Sequence, residues 1–173
     1  MIKSILAATD GSSHAAHALE FAVDLGVKYG ARLTIVHVLT HDHPSPDLKR
    51  MIEVEHLNDP APIHKNPATG SYTAVGRFLR GEIEDAELRA IAVLGEDIVD
   101  KAVKKAKKAG IVGVEAEIKE GDYANCILES ASSVEADLIV MGRRGLSNIQ
   151  GFVTGSVSHK VSQRADCAVL TVK

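Results

Sequence analysis

The chain has 173 residues, 45% apolar and 25% charged, an ordinary globular balance with length enough for one domain and a good core. A net charge of −3 with no dominating Lys/Arg block argues against a general nucleic-acid binder, and no apolar stretch approaches the length of a membrane span. Aromatic residues are 3% and Trp is absent, so Val, Ile, Leu and Ala must build the core.

The opening run Ile2–Thr9 is apolar and partly β-branched and reads as a strand, not as a charged-then-apolar leader. The expected location is the cytoplasm. The run stops at Asp10-Gly11-Ser12, a turn cluster that also supplies a helix N-cap. From Ser13 to Lys28, Ala15, Leu19, Ala22, Val23 and Val27 recur at helical spacing, and Ala31–Leu39 forms the second strand. Residues 41–81 break the rhythm and hold all five prolines of the chain (Pro44, Pro46, Pro60, Pro62, Pro67). This segment reads as an insertion in a single domain spanning 1–173. Ser45-Pro46-Asp47 predicts a short helix within it, to about Leu57.

A long helix is expected from about Glu82 to Ala109, with Ile91, Leu94, Ile98 and Ala102 on one stripe and lysines near its C-terminal end. Gly113–Lys119 alternates as a third strand, and Asp122 caps a helix through Ile127, Leu128 and Ala131. Ala136–Met141 is the next strand, Ser156–Arg164 a helix and Cys167–Val172 a last strand. Five strands separated by helices predict a doubly wound parallel sheet covered on both faces. Cys126 and Cys167 lack CxxC spacing and read as buried thiols. The apolar run Ala168–Val172 near a chain end predicts an edge strand, which invites pairing with a second copy across a two-fold axis.

The most informative motif joins the fourth strand to the last helix: Gly142-Arg143-Arg144-Gly145, nine residues, then Gly155-Ser156. A strand that turns through glycines into a helix start exposes backbone N–H groups where the helix dipole favours an anion. On this reading Gly142 ends the strand where a side chain would meet sugar or phosphate. Gly145 permits a turn with positive φ, so that consecutive N–H groups converge. The free N–H groups and the Ser156 hydroxyl at the helix start hold a second phosphate, while Arg143 and Arg144 offer charge. Asp10, at the carboxyl end of a central strand, is placed to accept ribose hydroxyls or to help hold Mg²⁺ beside the phosphates. The same carboxylate can serve as a cap for the first helix, and a glycine loop can be only a tight connection. The x9 spacing, the terminal Gly-Ser and the Asp10 turn together favour the binding loop.

Other chemistry is weaker. No Lys-Ser/Thr follows the glycines as in a Walker A loop, and GxGxxG and GxSxG are both missing. His41, His43, His56 and His64 crowd the insertion and read as solvent-exposed rather than metal-binding; His37 reads as packed or cleft-side, and His159 as an exposed helix residue. No general base stands out over the phosphate end of the loop, so efficient nucleotide turnover is not expected.

Ile5–Ser12, Ala136–Gly142, the G-x2-G-x9-G-S pattern and the final Cys-Ala-Val-Leu-Thr-Val resemble the universal stress protein family over nearly the whole chain outside 41–81. The resemblance is to the glycine-motif branch that binds ATP. It implies strand order 3-2-1-4-5, ATP (or AMP) with Mg²⁺ in the crevice by strands 1 and 4, and a homodimer through the last strand (168–172). It also implies that Thr9, Asp10 and the backbone of Val38 face adenine and ribose. Gly142, Arg144, Gly145, Ser147, Gly155, Ser156, Val157 and Ser158 would surround the phosphates. The expected function is that of an ATP-binding regulatory stress-response protein read by a protein partner. A slow ATPase, a phosphate- or adenylyl-transferring enzyme and a nucleotide-free dimeric adaptor are the alternatives.

Overall fold

A computed structural model of the chain describes residues 1–39, 86–146 and 155–173. The expected insertion at 41–81, its short helix and its four histidines lie outside the described residues, as do Ser147 and the start of the long helix at 82–85. In chain order the elements are β1 (Ser4–Ala8), α1 (Ser13–Tyr29), β2 (Arg32–Leu39), α2 (Ala86–Lys108), β3 (Val114–Glu120), α3 (Tyr123–Ser133), β4 (Leu138–Gly142), α4 (Ser156–Arg164) and β5 (Ala168–Val172).

The strands form one parallel sheet in the order β3-β2-β1-β4-β5. The direction of wrapping reverses between β1 and β4, and such a switch point opens a crevice at the carboxyl ends of the strands. Alternation along each strand sends successive side chains to opposite faces. Ile5, Ala7, Leu33, Ile35, Leu138 and Val140 pack with Ala18, Leu19, Ala22 and Val23 of α1 and with Ala102 and Ala106 of α2. Leu6, Val36, Val38, Ile139 and Met141 pack with Ala124, Ile127 and Ala131 of α3 and with Val161 of α4. Both faces are covered, as a fully parallel sheet requires.

Local signals set the boundaries. Ser12 caps α1, its side chain accepting the Ala15 N–H at 3.2 Å, and Gly30 ends the helix in the left-handed conformation. Asp122 caps α3 through the Asn125 N–H at 2.9 Å. The stripe expected on α2 (Ile91, Leu94, Ile98, Ala102) is buried throughout. Val27 is a correction: it is 51% exposed, and Gly26 takes the inward place because the Ile111 side chain lies where a Cβ on that glycine would stand. Cys126 is buried as expected, but Cys167 is only half-buried beside the edge strand. Burial raises the pKa of both thiols. β5 is the predicted edge.

Candidate functional site

At the switch point lies a cavity of about 270 Å³, lined by residues from every element that reaches the carboxyl ends of β1, β2 and β4. Ala8, Thr9 and Asp10 come from β1 and its turn, and Val36, His37 and Val38 from β2. Ile91, Leu94 and Gly95 of α2 supply an apolar wall, and Tyr123 and Ile127 of α3 also line the cavity. Gly142–Leu146 and Gly155–Ser158 close the remaining side. Of the residues expected at the site, Thr9, Asp10, Val38, Gly142, Arg144, Gly145, Gly155, Ser156, Val157 and Ser158 are brought together here; Ser147 falls outside the described residues.

Asp10 organises the turn. Its Oδ1 accepts the Ser12 N–H at 3.0 Å, and its Oδ2 accepts the Leu146 N–H at 3.0 Å, tying the β1–α1 turn to the glycine loop. Two backbone donors leave further lone pairs on the carboxylate. Thr9 N–H donates to Val36 O, while Thr9 O accepts from His37 Nδ1 at 2.8 Å. His37 is buried, and desolvation lowers its pKa despite the Thr9 bond and the Asp10 charge, which act the other way. A neutral imidazole that donates from Nδ1 leaves Nε2 as an acceptor.

The backbone of β2 shows which polar groups face the cavity. Arg32 N–H donates to Lys3 O and Val36 O accepts from Thr9, so even-numbered residues turn their polar groups toward β1. Leu33 N–H donates to Gly113 O on the β3 side. Strand alternation therefore turns the N–H and C=O of Val38 toward β1. There β1 has already ended, and these groups face the crevice.

The glycines earn their places by contacts that the sequence does not display. Gly145 does not have positive φ; among the described residues the positive-φ glycines are Gly11, Gly30, Gly110 and Gly121. A Cβ at Gly145 would instead run into Asp10 Oδ2. A Cβ at Gly142 would stand 2.9 Å from Ala15 N and from Arg144 O, so this glycine lets α1 approach β4 and does not merely clear space for a ligand. The Gly155 N–H is committed to Arg143 O at 2.9 Å rather than free. The Ser158 hydroxyl is buried and donates to the same carbonyl at 2.8 Å, which makes it a brace of the loop.

Gly155 is the N-cap of α4 and the first turn closes with His159 N–H to Gly155 O. The amides of Ser156, Val157 and Ser158 precede that bond, so they are the donors left for an anion. Ser156 is exposed at the mouth; His159 is exposed too, as expected. Arg143 and Arg144 line the cavity, and Arg143 Nε is buried with no hydrogen-bond partner among the described residues. No group of three or more His, Cys, Asp or Glu side chains suited to a metal occurs among the described residues. The single carboxylate of Asp10 does not make a magnesium site without oxygens from a ligand.

Sequence reasoning missed the apolar wall from α2 and the brace between His37 and Thr9. Gly95 was the available signal for the first, a glycine inside a helix. A Cβ there would stand 2.7 Å from Leu39 Cδ2 and 2.9 Å from His37 Cδ2.

The model of the universal stress protein family matches residues 1–173. The chain belongs to this family. Among its relatives is universal stress protein YxiE of Bacillus subtilis, 32% identical with all of both chains covered. Universal stress protein UspA from Lactobacillus plantarum has the same fold at a TM-score of 0.69, 21% identical over 99% of this chain and 98% of that one. Solved family members include nucleotide complexes. One, in complex with cAMP, is 24% identical at a TM-score of 0.61, covering 99% of this chain and 97% of its own. Another, from Arabidopsis thaliana with AMP bound, is 20% identical at 0.57, covering 99% and 91%. Among the described residues of this universal stress protein, no helix is long and apolar enough to cross a membrane.

Proposed function

We propose that this universal stress protein binds ATP in the crevice between β1 and β4 and that occupancy of the site is the state a protein partner reads. The observation that carries this reading is the pairing of an apolar wall with two kinds of backbone donor in one cavity. Ile91 and Leu94 offer apolar side chains to a base, and the Val38 N–H and C=O match the ring acceptor and the amino donor on one edge of adenine. Asp10 takes a ribose hydroxyl on its remaining lone pairs. The first-turn amides of α4, with Arg143 and Arg144, take the phosphates. Mg²⁺ arrives with the phosphates. The cAMP and AMP complexes of relatives support an adenylate as the ligand; the two arginines that line the cavity favour the triphosphate.

Asp10 is the one carboxylate that lines the cavity among the described residues, and the Ser12 and Leu146 amides already hold one lone pair on each of its oxygens, which supports binding without efficient turnover. The edge of β5 supports a homodimer. Val172 O accepts the Arg143 N–H, so by alternation Val169 and Thr171 turn their backbone groups outward, away from β4.

Denaturing freshly purified protein and identifying the released small molecules tests the site. Adenine nucleotide near one per subunit, with calorimetric binding tighter for ATP than for AMP, is the expected result. No nucleotide, together with no thermal shift in Mg-ATP, would favour the nucleotide-free adaptor instead.

A further inference from the structure

The parallel ladder between β1 and β2 follows a regular rule. Each even residue of β2 donates its N–H to one β1 carbonyl and accepts from the N–H two residues further along, as Arg32 to Lys3 and Thr9 to Val36 show. The next bond in this series would run from Val38 N–H to Thr9 O. Among the described residues it does not form; the paired register ends at Ala8 with Val36. Thr9 O is engaged by His37 Nδ1 at 2.8 Å.

Side chains stand out of the plane of a sheet, so a carbonyl turned to meet the ring of His37 is turned out of line with the ladder. The ring itself cannot easily move away. Its far edge packs on Gly95 of α2, where a Cβ would lie 2.9 Å from Cδ2 and 3.1 Å from Nε2. The side chain next to Val38 in sequence therefore withholds the carbonyl that would close off the Val38 N–H. The following amide, Gly11 N–H, turns to its neighbour Thr9 Oγ1 at 3.4 Å, so the chain has left the ladder by this point.

We propose that His37 is a positioning residue that ends the β1–β2 ladder one bond early and so keeps the Val38 N–H open to the base of the bound nucleotide. The role of that N–H toward a base rests on the adenine-nucleotide reading above; the end of the ladder does not. His37 touches no ligand in this role and acts through Thr9.

Amide hydrogen exchange of nucleotide-free protein, read by NMR, tests the ladder. The Val38 amide should exchange at least about tenfold faster than that of Val36. His37→Phe removes the donor and frees Thr9 O, and the Val38 amide should then slow by about tenfold. His37→Asn, whose amide nitrogen stands near the place of Nδ1, should restore fast exchange. Adenosine should bind about tenfold more weakly to His37→Phe and nearly normally to His37→Asn, with inorganic tripolyphosphate unaffected by either. A Val38 amide as protected as Val36 in the parent protein overturns the proposal, and this decides the matter even if His37→Phe does not fold. Unchanged exchange in a folded His37→Phe overturns it as well. If the parent protein binds no adenosine, the adenine reading fails, while the exchange rates still decide what His37 does to the ladder.

Discussion

The carboxylate of Asp10 fills the space that a side chain on Gly145 would need, and it accepts the N–H of the next residue, Leu146, at 3.0 Å. The two turns that face each other across the crevice are thus fitted by a missing Cβ on one side and a short acid on the other. Gly145→Ala should cost about 1–3 kcal/mol through overpacking and displace the glycine loop. In an Asp10→Ala background the same substitution should cost much less. Urea denaturation of the two single variants and the double variant measures the coupling. Additive losses would show that the fit is unimportant.

Ser156 and Ser158 lie two residues apart and should behave differently. Ser158→Ala removes a buried hydroxyl that donates to Arg143 O, and should lower stability by about 1–2 kcal/mol. Ser156 is exposed at the start of α4, so Ser156→Ala should leave stability within about 0.5 kcal/mol while weakening ATP binding. Thermal melts and calorimetry on both variants separate the two roles.

The buried His37 makes stability depend on pH in a definite direction. Burial lowers its pKa in the folded protein, so below the ordinary imidazole value of about 6.5 the unfolded chain binds more protons. The His37 contribution is complete above that value and is lost progressively as pH falls from it toward the lowered folded pKa. Urea midpoints between pH 7.5 and 5 should fall in the parent protein. They should fall less in His37→Asn, which has no group to protonate there. Equal pH profiles for the two would count against a buried neutral imidazole.

Thr171 turns its backbone outward from β5, while Val172 bonds to β4. Thr171→Pro should therefore delete an edge donor without breaking the β4–β5 ladder. If the proposed dimer pairs through this edge, sedimentation should shift from dimer to monomer at equal helix content. A dimer of unchanged affinity would place the interface elsewhere.

Local signals along the chain determined much of the fold: strand against helix by period, caps at Ser12 and Asp122, and the α2 stripe from Ile91 to Ala102. These signals are legible because they involve neighbours a few residues apart. The order 3-2-1-4-5 came by resemblance, and the glycine loop pointed to the crevice because a strand–glycine–helix passage is itself local. What each loop residue touches was decided by the tertiary structure. Asp10 meets Leu146 across 136 positions, and His37 meets Thr9 across 28. No periodicity encodes such encounters. The sequence therefore suggests a positive-φ turn at Gly145 where the fold needs space for a carboxylate, and it shows neither that the Ser158 hydroxyl braces Arg143 O nor that α2 supplies a wall, because both depend on how distant elements pack.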